Sequence, residues 1–149
     1  VSFCKILAMD AVKWLRPGRP LPPSCRHMRQ SYQRLVVWEK AMDLVVACYG
    51  LARQLPSDER FELSAQIRSA AVSVVANIAE GHGRYHAADL VRFLSIASGS
   101  LRELESELLV AIRVRYLTPD AAAPALELTD EVGRMLAGLI KAIRSNRRL

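Results

Sequence analysis

The 149-residue chain is poor in the residues that interrupt regular structure and in those that build sheets. Glycine and proline number seven each, too few for a collagen-like or low-complexity chain. Aromatic residues make up 6% against 51% hydrophobic overall, which excludes a disordered chain. Leucine and alanine carry most of that apolar content and favour helices over strands. No apolar run approaches the ~20 residues that span a bilayer, so no membrane partner is expected. The three cysteines, Cys4, Cys25 and Cys48, form no CxxC pair and no His/Cys cluster. An odd count without a secretory signal reads as reduced and cytoplasmic. Cys48, inside the first amphipathic segment, is expected to be a buried, inert thiol.

Positive charge is abundant but badly distributed. The formal net charge is +6, and residues 1–30 hold six basic side chains against Asp10 alone. The remaining residues carry a net charge of only +1, so the basic character says little about the domain as a nucleic-acid binder. Residues 1–30 are read as an irregular leader, because Arg16–Pro23 (RPGRPLPP) cannot form regular structure. Ile6–Met9 is too short for a signal-peptide core. Met28 is read as a natural start, which would place the leader upstream of it; the alternative is a basic arm that touches phosphate. The domain is expected over residues 31–149.

Four helices follow from periodicity. The first is expected over 32–55, with Leu35, Trp38, Met42, Val45, Tyr49 and Ala52 as its buried stripe. Pro56 stops it, and Ser57 or Asp58 is expected to cap the next helix. The second is expected over 59–80, with Leu63, Ile67, Ala70, Val74 and Ile78 toward the core. Between Ala70 and Ala79 only Ser73 and Asn77 are polar. Val72, Val75 and Ala79 therefore form a second apolar face, which a helix keeps only if something covers it. Another copy of the chain is the expected cover, so these three are the candidate oligomer interface. Gly81 is expected to end the helix as a left-handed cap.

The third helix is expected over 86–115, with Leu90, Leu94, Ala97, Leu101, Leu104, Leu108 and Ala111 inward and the small Ser95, Gly99 and Ser106 outward. Thr118-Pro119 starts the fourth, which fades near Asn146, and Pro124 is expected to kink it or delay its start. No segment alternates as a strand does. The fold expected is all-α, an antiparallel up-down-up-down four-helix bundle.

Several stretches resemble a known family. Val37-Trp38-Glu39-Lys40-Ala41-Met42-Asp43-Leu44, Gln66-Ile67-Arg68, Ala70-Ala71-Val72-Ser73-Val74 and Asn77-Ile78-Ala79-Glu80-Gly81 are similar to the bundle proteins associated with 23S rRNA intervening sequences. Arg84, Phe93-Leu94, Ile96-Ala97 and Gly99-Ser100-Leu101, followed by Glu103-Leu104-Glu105, extend the resemblance, which covers about residues 33–145. Ser69 stands where the family commonly has a second arginine. The resemblance implies a ring-like homopentamer of four-helix bundles. It also implies a distant relation to the accessory variability protein of diversity-generating retroelements, which partners a reverse transcriptase and RNA.

Two groups of polar residues are candidate sites. Ser73, Asn77, Glu80 and Arg84 share one helical stripe, with Arg68 just before it. They read either as a hydrogen-bonded network fixing an interface or as a ligand or phosphate site using Arg68 and Arg84. Lys141, Arg144, Arg147 and Arg148 complement the end of the last helix and, repeated around a ring, are candidate phosphate contacts. No aromatic residue interleaves them, so base stacking is not expected there.

Catalytic patterns are weak by comparison. No Glu-x-x-His spacing exists for a di-iron centre, and His82 with His86 share a turn only if the helix survives Gly83. Glu59/Glu62 and Glu127/Asp130 have the local spacing of a magnesium-dependent nucleotide hydrolase, but such acids also suit helix starts. No catalytic residue, metal or cofactor is expected. The reading is a non-enzymatic homo-oligomeric scaffold or adaptor. The alternative is an RNA-binding accessory of a mobile element or reverse transcriptase, with a nucleotide hydrolase a distant third.

Overall fold

A computed structural model describes residues 32–84 and 86–146. The leader, with Cys4 and Cys25, and the C-terminal Arg147 and Arg148 lie outside the described residues. Among the described residues all regular structure is helical: α1 (Val36–Ala52), a short 3-10 turn (Ser57–Phe61), α2 (Leu63–His82), α3 (Ala87–Arg113) and α4 (Pro119–Asn146). Helix α1 packs on α2 and α4, and α3 packs on α2 and α4, which closes a four-membered circuit around one core. Leu44, Ile67, Val74, Ile78, Leu94, Leu104, Leu108 and Leu136 are fully enclosed there. Each such side chain contributes about 2 kcal/mol by leaving water.

The inward faces of α2 and α3 follow the expected spacing, but α1 is rotated. Its buried residues are Val37, Ala41, Leu44, Cys48, Leu51 and Ala52. Trp38 and Val45 are half-buried, while Met42 and Tyr49 are exposed. Both stripes have three-and-four spacing and both are apolar, so periodicity alone does not set the rotation. The stripe that turns inward carries the small side chains Ala41 and Cys48, which let neighbouring helices come close. Cys48 is buried as expected, and burial, with the Glu107 charge behind it, pushes its thiol up to about 12.

Helix ends also depart from expectation. The segment after Pro56 forms the 3-10 turn first, so α2 starts at Leu63 rather than at Glu59. Neither Ser57 nor Asp58 caps it; the Leu63 N–H donates to the Glu59 carboxylate at 3.3 Å. Gly81 is not a left-handed cap. It lies inside α2, which continues to His82, and Gly83 follows in an ordinary right-handed conformation. Gly81 is small for another reason: a Cβ there would stand 2.8 Å from the Phe93 Cβ of α3. Pro124 does not delay α4, which begins at Pro119.

The α3–α4 connection turns on Arg115, a non-glycine residue at φ 66°. This lets the Tyr116 and Leu117 N–H groups both donate to the Ala111 carbonyl, at 2.9 and 3.2 Å, and satisfies an end of α3. Thr118 then caps α4, its Oγ1 accepting from the Ala121 N–H at 3.2 Å. Removing that acceptor by Thr118→Ala is expected to cost about 1 kcal/mol in urea unfolding. An unchanged midpoint would show that water replaces the cap without loss.

Candidate functional site

The polar stripe on α2 does not form one site. Ser73 and the buried Ser100 share a hydroxyl–hydroxyl bond of 2.8 Å, which ties α2 to α3. The Asn77 amide donates to the Ser73 carbonyl at 2.8 Å and to its hydroxyl at 3.2 Å. Glu80 and Arg84 pair with each other at the surface, and the Arg84 guanidinium lies 4.9 Å from the centre of the Phe93 ring. Arg68 stands apart from both, donating to the Arg60 carbonyl at 3.2 Å. Ser73 and Asn77 therefore serve the helix pair, while Arg68 ties α2 back to the 3-10 turn before it.

The residues expected to mediate self-association are unequally available. Val72 is 44% exposed, but Val75 is half-buried and packs against the chain's own core, and Ala79 is half-buried. A longer uncovered row lies on α1, where Met42, Val46 and Tyr49 follow one another at spacings of four and three. Val46 is the most open of them at 69%. Periodicity does not single out this row, because it assigns Met42 and Tyr49 to the core and leaves Val46 unassigned.

Two basic residues near the end of α4 line a groove. Lys141 and Arg144 face a space of about 540 Å³ shared with Ser98 of α3 and with Ala137, Ile140 and Ser145. A second basic space is not legible in any single helix. Arg53 at the end of α1, Arg60 in the 3-10 turn and Arg68 of α2 line a cleft of about 300 Å³ with Ser57 and Ser64. The Ser64 hydroxyl is occupied, donating to the Ala52 carbonyl at 3.2 Å.

One ionisable group is placed against its chemistry. Glu107 is only 9% exposed, and its Oε2 is buried without a hydrogen-bond partner. Burial first, and the charge of Glu103 second, push its carboxyl up to about 7. In the α3–α4 connection, the Tyr116 phenol is held above its ordinary value by its hydrogen bond to Glu59 and by the nearby acids, Asp58 and Glu62 among them. His82 ends α2 while His86 precedes α3, so no single helix carries both. Among the described residues no three His, Cys, Asp or Glu side chains form a metal-holding group, Glu59/Glu62 and Glu127/Asp130 included. Also among the described residues, no helix is long and apolar enough to cross a membrane.

The family model of the 23S rRNA-intervening sequence protein matches residues 33–138. The crystal structure of a protein of unknown function from the S23 ribosomal protein family of Bacteroides thetaiotaomicron is 29% identical in sequence. The likeness covers 71% of this chain and 99% of that one, with a TM-score of 0.67. No curated protein matches the chain.

Proposed function

Because the chain belongs to the 23S rRNA-intervening sequence protein family, we propose that it works as a non-enzymatic, cytoplasmic scaffold or adaptor built from several copies of itself. In this reading each copy is an up-down-up-down bundle, and the copies close into a ring-like pentamer. The observation that carries it is the row Met42, Val46 and Tyr49, with Val72 on α2, left open on the surface of one copy. Single exposed apolar residues are ordinary, but a row along one helix gains by self-contact, and a closed ring covers it on every copy.

A second reading rests on the groove lined by Lys141 and Arg144: an RNA-binding accessory of a mobile element or reverse transcriptase, with phosphates held by these side chains. The distant relation to the accessory variability protein that the resemblance implies belongs to this reading. One measurement separates the two. Light-scattering mass on a sizing column, with absorbance at protein and nucleic-acid wavelengths, should give five chain masses free of nucleic acid for the scaffold. Excess nucleic-acid absorbance would favour the RNA reading.

The single changes Val46→Lys and Val72→Lys are expected to reduce the wild-type mass to that of one chain with helical circular dichroism retained. Val75 is left unchanged, because a lysine there would disturb the core as well. An unchanged mass in both variants, or a wild-type monomer, would overturn the self-association.

A further inference from the structure

The cleft between α1, the 3-10 turn and α2 is electrostatically incomplete. Arg53, Arg60 and Arg68 all line it, yet none has an ion-pair partner among the described residues. Arg68 is held by the Arg60 carbonyl, which orders the guanidinium without neutralising it. Arg53 and Arg60 are exposed and Arg68 is half-buried, so the lining gathers three hydrated positive side chains, and a guanidinium offers a planar fork suited to phosphate oxygens. At about 300 Å³ the cleft sits at the lower end of small-ligand pockets, roughly 300–1,000 Å³.

Two neighbours narrow the class of anion. Phe61 follows Arg60 directly and is 83% exposed, with the Arg60 guanidinium 5.5 Å from its ring centre. Phe61 does not itself line the cleft, but its exposed ring adjoins Arg60, which does, and an exposed ring is a surface on which a nucleobase stacks. Asp58, Glu59 and Glu62 lie in the same segment and surround Tyr116 with negative charge. A polyanion tracking along this end of the protein would meet those carboxylates, whereas a compact phosphate chain ends inside the cleft.

We propose that the Arg53–Arg60–Arg68 cleft binds the phosphate chain of a nucleotide, with the base stacked on Phe61. This goes beyond the scaffold reading and uses none of its surfaces. It also differs from the groove of Lys141 and Arg144, which lies between α3 and α4. The charge comes from three elements, so the site exists only once the α1–α2 connection has folded. No hydrolysis is implied.

Titration calorimetry of the full chain with ATP, with inorganic tripolyphosphate and with a single-stranded oligoribonucleotide tests the proposal. ATP and tripolyphosphate are both expected to saturate one site per chain. The triple variant Arg53→Gln, Arg60→Gln, Arg68→Gln is expected to weaken both about tenfold or more, with an unchanged circular dichroism spectrum. Phe61→Ala should weaken ATP about fivefold and leave tripolyphosphate unchanged. No saturation by ATP at millimolar concentration would overturn the site. So would equal affinity in the arginine variant, or an oligoribonucleotide that binds while ATP does not. Equal ATP affinity in Phe61→Ala would overturn the stacking role.

Discussion

Replacing Gly81 by valine is expected to destabilise the protein by about 3 kcal/mol and to lower its melting temperature by about 10 °C. A glycine inside a helix is ordinarily a weakness, since alanine there gains about 1 kcal/mol. Position 81 reverses that sign. A Cβ would stand 2.8 Å from the Phe93 Cβ, 3.2 Å from a Leu90 methyl and 3.4 Å from the Leu90 carbonyl oxygen. The first of these is fixed to the α3 backbone and cannot swing aside, so the two helices must separate along their most extensive contact. Gly50 in α1 is the matching control, because nothing lies within 4 Å of a Cβ there. Alanine at 50 should be neutral or stabilising in the same thermal melt. If valine at 81 leaves the melting temperature unchanged, the helices do not approach as closely as described.

The second large effect belongs to Glu107. Its carboxyl is raised from 4.5 to about 7 in the folded protein, because burial disfavours the charged form and Glu103 adds a like charge. The folded state therefore holds a proton that the unfolded chain releases near 4.5. Stability from this group is complete below that pH, falls as pH rises toward 7, and is flat above. With allowance for solvent screening, the loss between acid and about pH 8 amounts to about 2 kcal/mol. Glu107→Gln keeps the shape of the protonated acid and removes the titration. At about pH 8 the variant should melt about 7 °C above the wild type, and near about pH 4 the two should coincide. A difference that does not change with pH would show that the carboxyl is hydrated and not enclosed.

Much of the bundle is legible in the sequence, and the reasons differ by helix. Leucines and alanines at three-and-four spacing mark one stripe of α3 as inward, and that stripe is buried. Helix α1 offers two apolar stripes, and choosing between them requires knowing which neighbours must come close. Gly81 reads as a terminator because glycine after a helix usually is one; its contact with Phe93 depends on a partner helix that local pattern does not show. The clefts divide along the same line. Lys141 and Arg144 are one turn apart and visible as a pair. Arg53, Arg60 and Arg68 come together only through the turn after Pro56, and no helical period connects them. Glu107 stands three residues after Leu104 and four before Ala111, on the inward side of α3, but the spacing does not show that its Oε2 lacks a hydrogen-bond partner there.

The hydroxyl pair Ser73–Ser100 constrains how the molecule can move. Helices α2 and α3 run in opposite directions, Ser73 meeting Ser100 while Gly81 meets Leu90 and Phe93. Sliding one past the other by a helical turn of about 5.4 Å would break the bond between these hydroxyls, leave the buried Ser100 without its partner and drive a side chain into Gly81. Shear, one of the common ways a helical protein changes shape, therefore costs this pair both contacts. A change of shape that keeps both contacts moves the two helices together and leaves the adjustment to α1, α4 and the connections between them.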